Sequence, residues 1–229
     1  MSETPELESL FDVWNEDDGK QLRRGRLIWV NLPHVMQEQT TLEAVGRNDP
    51  ADHSSALFKL STLRFDGVRQ ASKLPVAGLT SFAKEVYTVH RSKIRPAVLV
   101  HDPISPLSSD LRRGAYKPHT TATMVVAPLY GTAQEGRAGF PPVLLDRIMR
   151  CEYPNYVGLR VPGSTAPSVM RLDHLQPICM NHQAYRLSEH FLSDDLLALL
   201  SEWLQWLQTG GLDDESTLGK VRQMLMELD

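Results

Sequence analysis

Cysteine is nearly absent. Cys151 and Cys179 are the only two in 229 residues, too few for a disulfide framework or a four-cysteine zinc site. Two inert thiols in a reducing cytoplasm are the simplest expectation. No apolar run approaches the roughly 20 residues that cross a bilayer, so no membrane partner is expected. The N-terminus is acidic and lacks a signal-peptide pattern. A Gly-rich phosphate loop ending in Lys-Ser/Thr, a G-x-G-x-x-G and an H-E-x-x-H are all missing. Gly163-Ser164-Thr165 lacks the strand–turn–helix setting of a nucleophile elbow. No metal or cofactor is expected. There is no internal repeat and no low-complexity tract.

What is present is an uneven charge. The net charge is −4, which by itself argues against a nucleic-acid partner. Residues 1–18 carry −7, residues 19–192 carry +9 and residues 193–229 carry −6. A basic middle attracts phosphate; the same charges can equally be a solvated surface.

The pattern divides the chain. Residues 1–18 read as an acidic arm with one amphipathic patch, Leu7, Leu10, Phe11 and Trp14. Residues 19–208 read as the main domain. Arg26 to Leu32 is a buried strand stopped by Pro33, with Trp29 expected in the core. Residues 36–92 lack sustained alternation and read as an insertion or lid, with a possible helix over 80–89. Strands follow at 95–100 and 123–128, extended structure at 143–145, and strands near 156–161 and 168–173. In the last of these, alternation sends Val169, Arg171 and Asp173 to one face. Ser193 is a good N-cap, Leu and Trp recur at helical spacing, and Gly210-Gly211 ends that helix. Residues 209–229 read as a helical extension whose helix starts after Ser216. Short strands followed by helices indicate an α+β chain, mainly β, built as a small barrel with C-terminal helices.

The order of these pieces resembles the PemK/MazF family of toxin–antitoxin ribonucleases. The motifs are Gly25 to Val30, Arg95 to Val100, Val125 to Pro128, and Val169 to Leu175 with its D-Q-like end. The resemblance implies an SH3-like barrel of PemK/MazF/CcdB type that pairs into a homodimer, with a long insertion after the first strand. It implies single-stranded RNA as substrate, metal-independent attack by the RNA's own 2′-hydroxyl, and an acidic antitoxin protein as partner. By the same resemblance Arg95 opens the active-site strand, and Arg171 and Asp173 form the R-x-D pair that some members use in catalysis. Where the family places a substrate-contacting Thr or Ser, this chain has Tyr130-Gly131, with Thr132 only after them.

Such chemistry needs a base, a cation for the crowded phosphate, and an acid for the leaving oxygen. Asp173 is the candidate base. Arg95 and Arg171 are the candidate phosphate holders, because guanidinium presents a planar donor fork. His34, His101, His119 or water are candidates for the acid. Lys117, His119, Tyr130 and Thr132 are the expected RNA contacts. The alternatives remain open here. Arg171 and Asp173 can be an ordinary surface ion pair, and the barrel can be a non-catalytic module that binds nucleic acid or protein in a larger assembly.

Overall fold

The computed structural model describes residues 6–35, 38–64, 79, 85–102, 107–115, 122–132, 139–180, 183 and 185–227. Among these are eleven strands: β1 (Trp14–Glu16), β2 (Arg26–Pro33), β3 (Thr40–Gly46), β4 (Leu57–Thr62), β5 (Tyr87–Val89), β6 (Ser92–Leu99), β7 (Thr123–Gly131), β8 (Tyr156–Arg160), β9 (Pro167–Arg171), β10 (Gln176–Cys179) and β11 (Tyr185–Leu192). Four α-helices accompany them: α1 (Ser109–Arg112), α2 (Pro142–Met149), α3 (Asp194–Thr209) and α4 (Thr217–Glu227). The chain is therefore α+β and mainly β, with its strands in two open sheets. It divides into one unit of Met1–Leu32 with Ile94–Asp229, and a second of Pro33–Lys93.

The larger sheet runs β1-β11-β2-β6-β7-β9-β8, with β10 pairing β7. All four strong strand patterns of the sequence, on β2, β6, β7 and β9, lie in it. Strand alternation gives it two apolar faces. Ile28, Val30, Leu32, Ala97, Leu99, Met124, Val126 and Ile178 form one core. Leu27, Val98, Ala127, Leu129, Leu159 and Met170 form the other, under the helices. That second face is covered by Leu196, Leu199, Leu200 and Trp203 of α3 and by Leu218, Val221 and Leu225 of α4. The Ser193 hydroxyl accepts from the Leu196 N–H at 3.3 Å and starts α3. Gly210, at φ +74°, ends it in the left-handed conformation that glycine adopts without strain.

Three expectations change. Trp29 is 42% exposed rather than in the core. It shares a face with Leu27, whereas its neighbours Ile28 and Val30 turn to the other. Residues 143–145 are helical, not extended, because Pro142 sits in the first turn of α2, where its fixed φ suits a helix and its missing N–H costs nothing. Of the helix considered over 80–89, residues 87–89 form β5 and residues 80–84 lie outside the described set.

The acidic N-terminal segment belongs to the larger unit. Leu7 is fully buried and β1 pairs with β11. Glu8 accepts the Arg160 N–H at 2.5 Å, and Trp14 Nε1 donates to the Arg160 carbonyl at 2.7 Å.

The second unit is a three-stranded antiparallel sheet, ordered β4-β3-β5. Leu42 faces Leu60, and Ala44 faces Phe58. None of its described residues is buried.

β7 is where the larger sheet forks, and the fork positions the site. Leu129 to Gly131 pair with β9, and Thr123 to Val126 pair with β10. Between them, residues 171–175 stand opposite only Ala127 and Pro128. Proline has no N–H to contribute to a ladder, so pairing lapses there at little cost. The excess chain leaves the sheet as a 3-10 turn, Leu172–His174. The Leu172 N–H anchors this turn on the Asn155 carbonyl at 3.0 Å.

Candidate functional site

Strand register brings distant residues to one sheet face. Ala97 pairs with Pro128, so Arg95 and Tyr130 stand opposite each other two residues further along. Val169 pairs with Tyr130, and Arg171 pairs with Tyr156. Side chains two apart share a face, which puts Arg95, Tyr130, Arg171 and Tyr156 side by side on adjoining strands.

Their contacts are specific. The Arg95 guanidinium lies 4.5 Å from the Tyr130 ring centre, and that of Arg171 lies 4.7 Å from the Tyr156 ring centre. Arg171 Nε donates to Asp173 Oδ1 at 2.7 Å, and Nη2 donates to Oδ2 at 2.6 Å. Nη2 also meets His174 Nε2 at 2.8 Å. The other ring nitrogen, Nδ1, is 2.8 Å from the Tyr130 hydroxyl. Asn155 Nδ2 reaches Asp173 Oδ2 at 3.4 Å. Tyr153 and Phe140 pack edge-on against Tyr156, at 5.8 and 6.3 Å between ring centres. Arg147 of α2 lies over Tyr153 at 5.1 Å. The site thus alternates guanidinium planes with aromatic rings.

Burial tunes the titrating groups. His174 is 5% exposed. Its proton affinity is lowered, first by burial, then by the charges of Arg171 and Arg95, against the opposing pull of Asp173. Burial also raises the Tyr130 phenol above its ordinary value, with Asp173 adding to that and both arginines opposing it. Burial pushes the Asp173 carboxyl up, yet its bonds and charge contact with Arg171 outweigh this and leave it below the usual range. At neutral pH the site therefore holds a neutral imidazole, an intact phenol and an ionised carboxylate.

Of the residues expected from sequence, Arg95, Tyr130, Arg171 and Asp173 meet in this cluster. Asp173 is not on the strand, as alternation implied, but in the turn after it. Thr132 serves the strand pair instead, its hydroxyl donating to the Pro167 carbonyl at 2.7 Å. Lys117 and His119 lie outside the described residues. His34 belongs to the other unit. His101 Nδ1 donates to the neighbouring Asp102 carbonyl at 2.7 Å, beyond the far end of β6. His174 was missed, although it directly follows the R-x-D pair. Among the described residues no group of three His, Cys, Asp or Glu is arranged to hold a metal ion.

No family model, no curated protein and no solved structure matches the chain.

Proposed function

We propose that this protein is a metal-independent endoribonuclease of toxin type that cleaves single-stranded RNA through attack of a 2′-hydroxyl on the adjacent phosphate. The proposal includes the finer architecture: a small SH3-like barrel of PemK/MazF kind, acting as a cytoplasmic homodimer and restrained by an acidic antitoxin.

One observation carries it. Arg95, which lies 76 positions before Arg171 and 78 before Asp173, meets them around the bonded pair Tyr130–His174. Arg95 and Arg171 supply fixed positive charge where a phosphorane develops negative charge. Asp173, bound at both oxygens by Arg171 and held below the usual carboxylate range, is a weak base, and its part is to aim that guanidinium. The rings of Tyr153, Tyr156 and Phe140 offer stacking surface for unpaired bases.

The test is incubation with mixed-sequence single-stranded RNA in EDTA, with wild type beside the Arg171→Ala/Asp173→Ala double variant. Cleavage by wild type to 2′,3′-cyclic phosphate and 5′-hydroxyl ends, lost in the double variant, supports the reading. Undiminished cleavage by the double variant removes it.

A second reading is a non-catalytic module that binds nucleic acid or protein. The engagement of both Asp173 oxygens by Arg171 and Asn155 favours it. Under this reading the same RNA is retained on the protein in a filter-binding assay and stays intact.

A further inference from the structure

Donor counting around His174 settles its tautomer. Every N–H of arginine is a donor, and guanidinium accepts nothing. Arg171 Nη2 has two N–H groups: one meets Asp173 Oδ2 and the other meets His174 Nε2. His174 Nε2 must therefore accept, and it carries no proton. A neutral imidazole then keeps its proton on Nδ1, the nitrogen 2.8 Å from the Tyr130 hydroxyl. So Nδ1–H donates and the Tyr130 oxygen accepts. The converse arrangement, with Tyr130 donating to Nδ1, needs a proton on Nε2 and would set two donors against each other at 2.8 Å.

The consequence falls on Tyr130. Its oxygen is held by His174, and its own hydroxyl proton is not used in that bond. From the geometry we infer that Tyr130 is the proton donor to the leaving 5′-oxygen, with His174 as the positioning residue that orients the phenol. This rests on the ribonuclease reading above and supplies the acid that reading lacks.

The step balances without an outside reagent. The 2′-oxygen forms a bond to phosphorus and the bond from phosphorus to the 5′-oxygen breaks. The phenol proton moves to the departing 5′-oxygen, and the 2′-hydroxyl proton passes to solvent water, from which Tyr130 is reprotonated. An alkoxide is a stronger base than a phenolate, so the transfer runs downhill as the bond breaks. The tyrosinate formed is not stranded. His174 Nδ1–H still donates to it, and the Arg95 guanidinium stays 4.5 Å from its ring centre. Burial acts against these two, raising the phenol above its ordinary value and so keeping it protonated until the transfer.

The experiment compares two single-stranded oligonucleotides. One is ordinary RNA. The other carries sulfur in place of the bridging 5′-oxygen at the bond that wild type cuts. A thiolate leaves without protonation, so it makes a general acid unnecessary. Tyr130→Phe is expected to slow cleavage of the oxygen ester by about 10²-fold or more, and of the sulfur ester by less than about tenfold. Both rates come from one preparation, so their ratio does not depend on how much of the variant is folded. Equal slowing of both substrates overturns the acid role while leaving the ribonuclease reading intact. Failure of wild type to cut either substrate overturns that reading, and the inference with it.

Discussion

Two arginines of the same sheet each pair with an aspartate just beyond a strand, and the two pairs differ. Arg26 is fully buried on β2. Its Nε donates to the Gln21 carbonyl at 3.0 Å, its Nη1 to the carbonyls of Ser188 and Glu189 at 3.2 and 3.1 Å, and its Nη2 to Asp17. Three of these four partners are main chain, drawn from the segment before β2 and from β11. Arg171 bonds only side chains, a carboxylate and an imidazole, and its side chain stays 16% exposed. Both guanidiniums lie near an aromatic ring, Phe191 for Arg26 and Tyr156 for Arg171. The ring and the ion pair therefore do not mark function. What differs is the partner. Bonds to carbonyls tie strands together, whereas bonds to groups that titrate set proton positions.

The largest effect that separates the two is on folding. Arg26→Ala removes one donor from each of three carbonyls and from a carboxylate that keeps Gly19 N–H and Arg23, and should cost about 2–3 kcal/mol of stability, chiefly from the carbonyls. Urea denaturation measures this. RNA cleavage per folded molecule should stay near wild type. Should Arg26→Ala abolish cleavage in molecules that remain folded, the division between the two pairs fails.

A second test uses pH. Protonating His174 places a donor on Nε2 facing Arg171, with Arg95, Asp173 and Tyr130 the other charged or titrating neighbours. Its proton affinity is lowered, so the competent neutral form persists to pH values below the ordinary 6.5 and is lost only as pH falls through a midpoint that lies beneath it. Wild-type cleavage should drop about tenfold per pH unit beyond that midpoint. His174→Gln keeps one acceptor and one donor but does not titrate, and its profile should lose this limb. A limb unchanged in His174→Gln belongs to another group.

The smallest effect is acid stability at the other pair. The hydrogen bond from Arg26 holds the Asp17 carboxyl at about 2, against 3.8 when unperturbed, with help from the Gly19 N–H and the charges of Arg26 and Arg23 and against the opposing effect of burial. A depressed carboxyl contributes stability that is fully present above its unfolded value and is lost as pH falls through its folded one. The contribution should therefore fade between about pH 4 and pH 2. Thermal melts of Asp17→Asn should show less decline across that window than wild type.

The strands and terminal helices were legible because their signals are local. Ser193, the Leu and Trp stripe and Gly210 define α3 without reference to anything else. Trp29 misled because an apolar run does not say which face the second layer covers. Arg171 and Asp173 were visible as a motif, but their geometry was not. It depends on the lapse of pairing at Pro128, a property of three strands together. His174 gave no signal of its own, since a lone histidine after a strand is most often a surface residue. Its role appears only once Tyr130, 44 positions away, is brought to its ring.

The most direct measurement is a cleavage assay in EDTA on a single-stranded RNA and its all-deoxy counterpart, with Arg171→Ala and Arg26→Ala beside wild type. The account predicts that wild type and folded Arg26→Ala cut the RNA to 2′,3′-cyclic phosphate ends and leave the DNA intact. Arg171→Ala should remain folded and lose about 10²–10³-fold in rate. Cutting of the DNA, or no cutting of either strand by wild type, would contradict it.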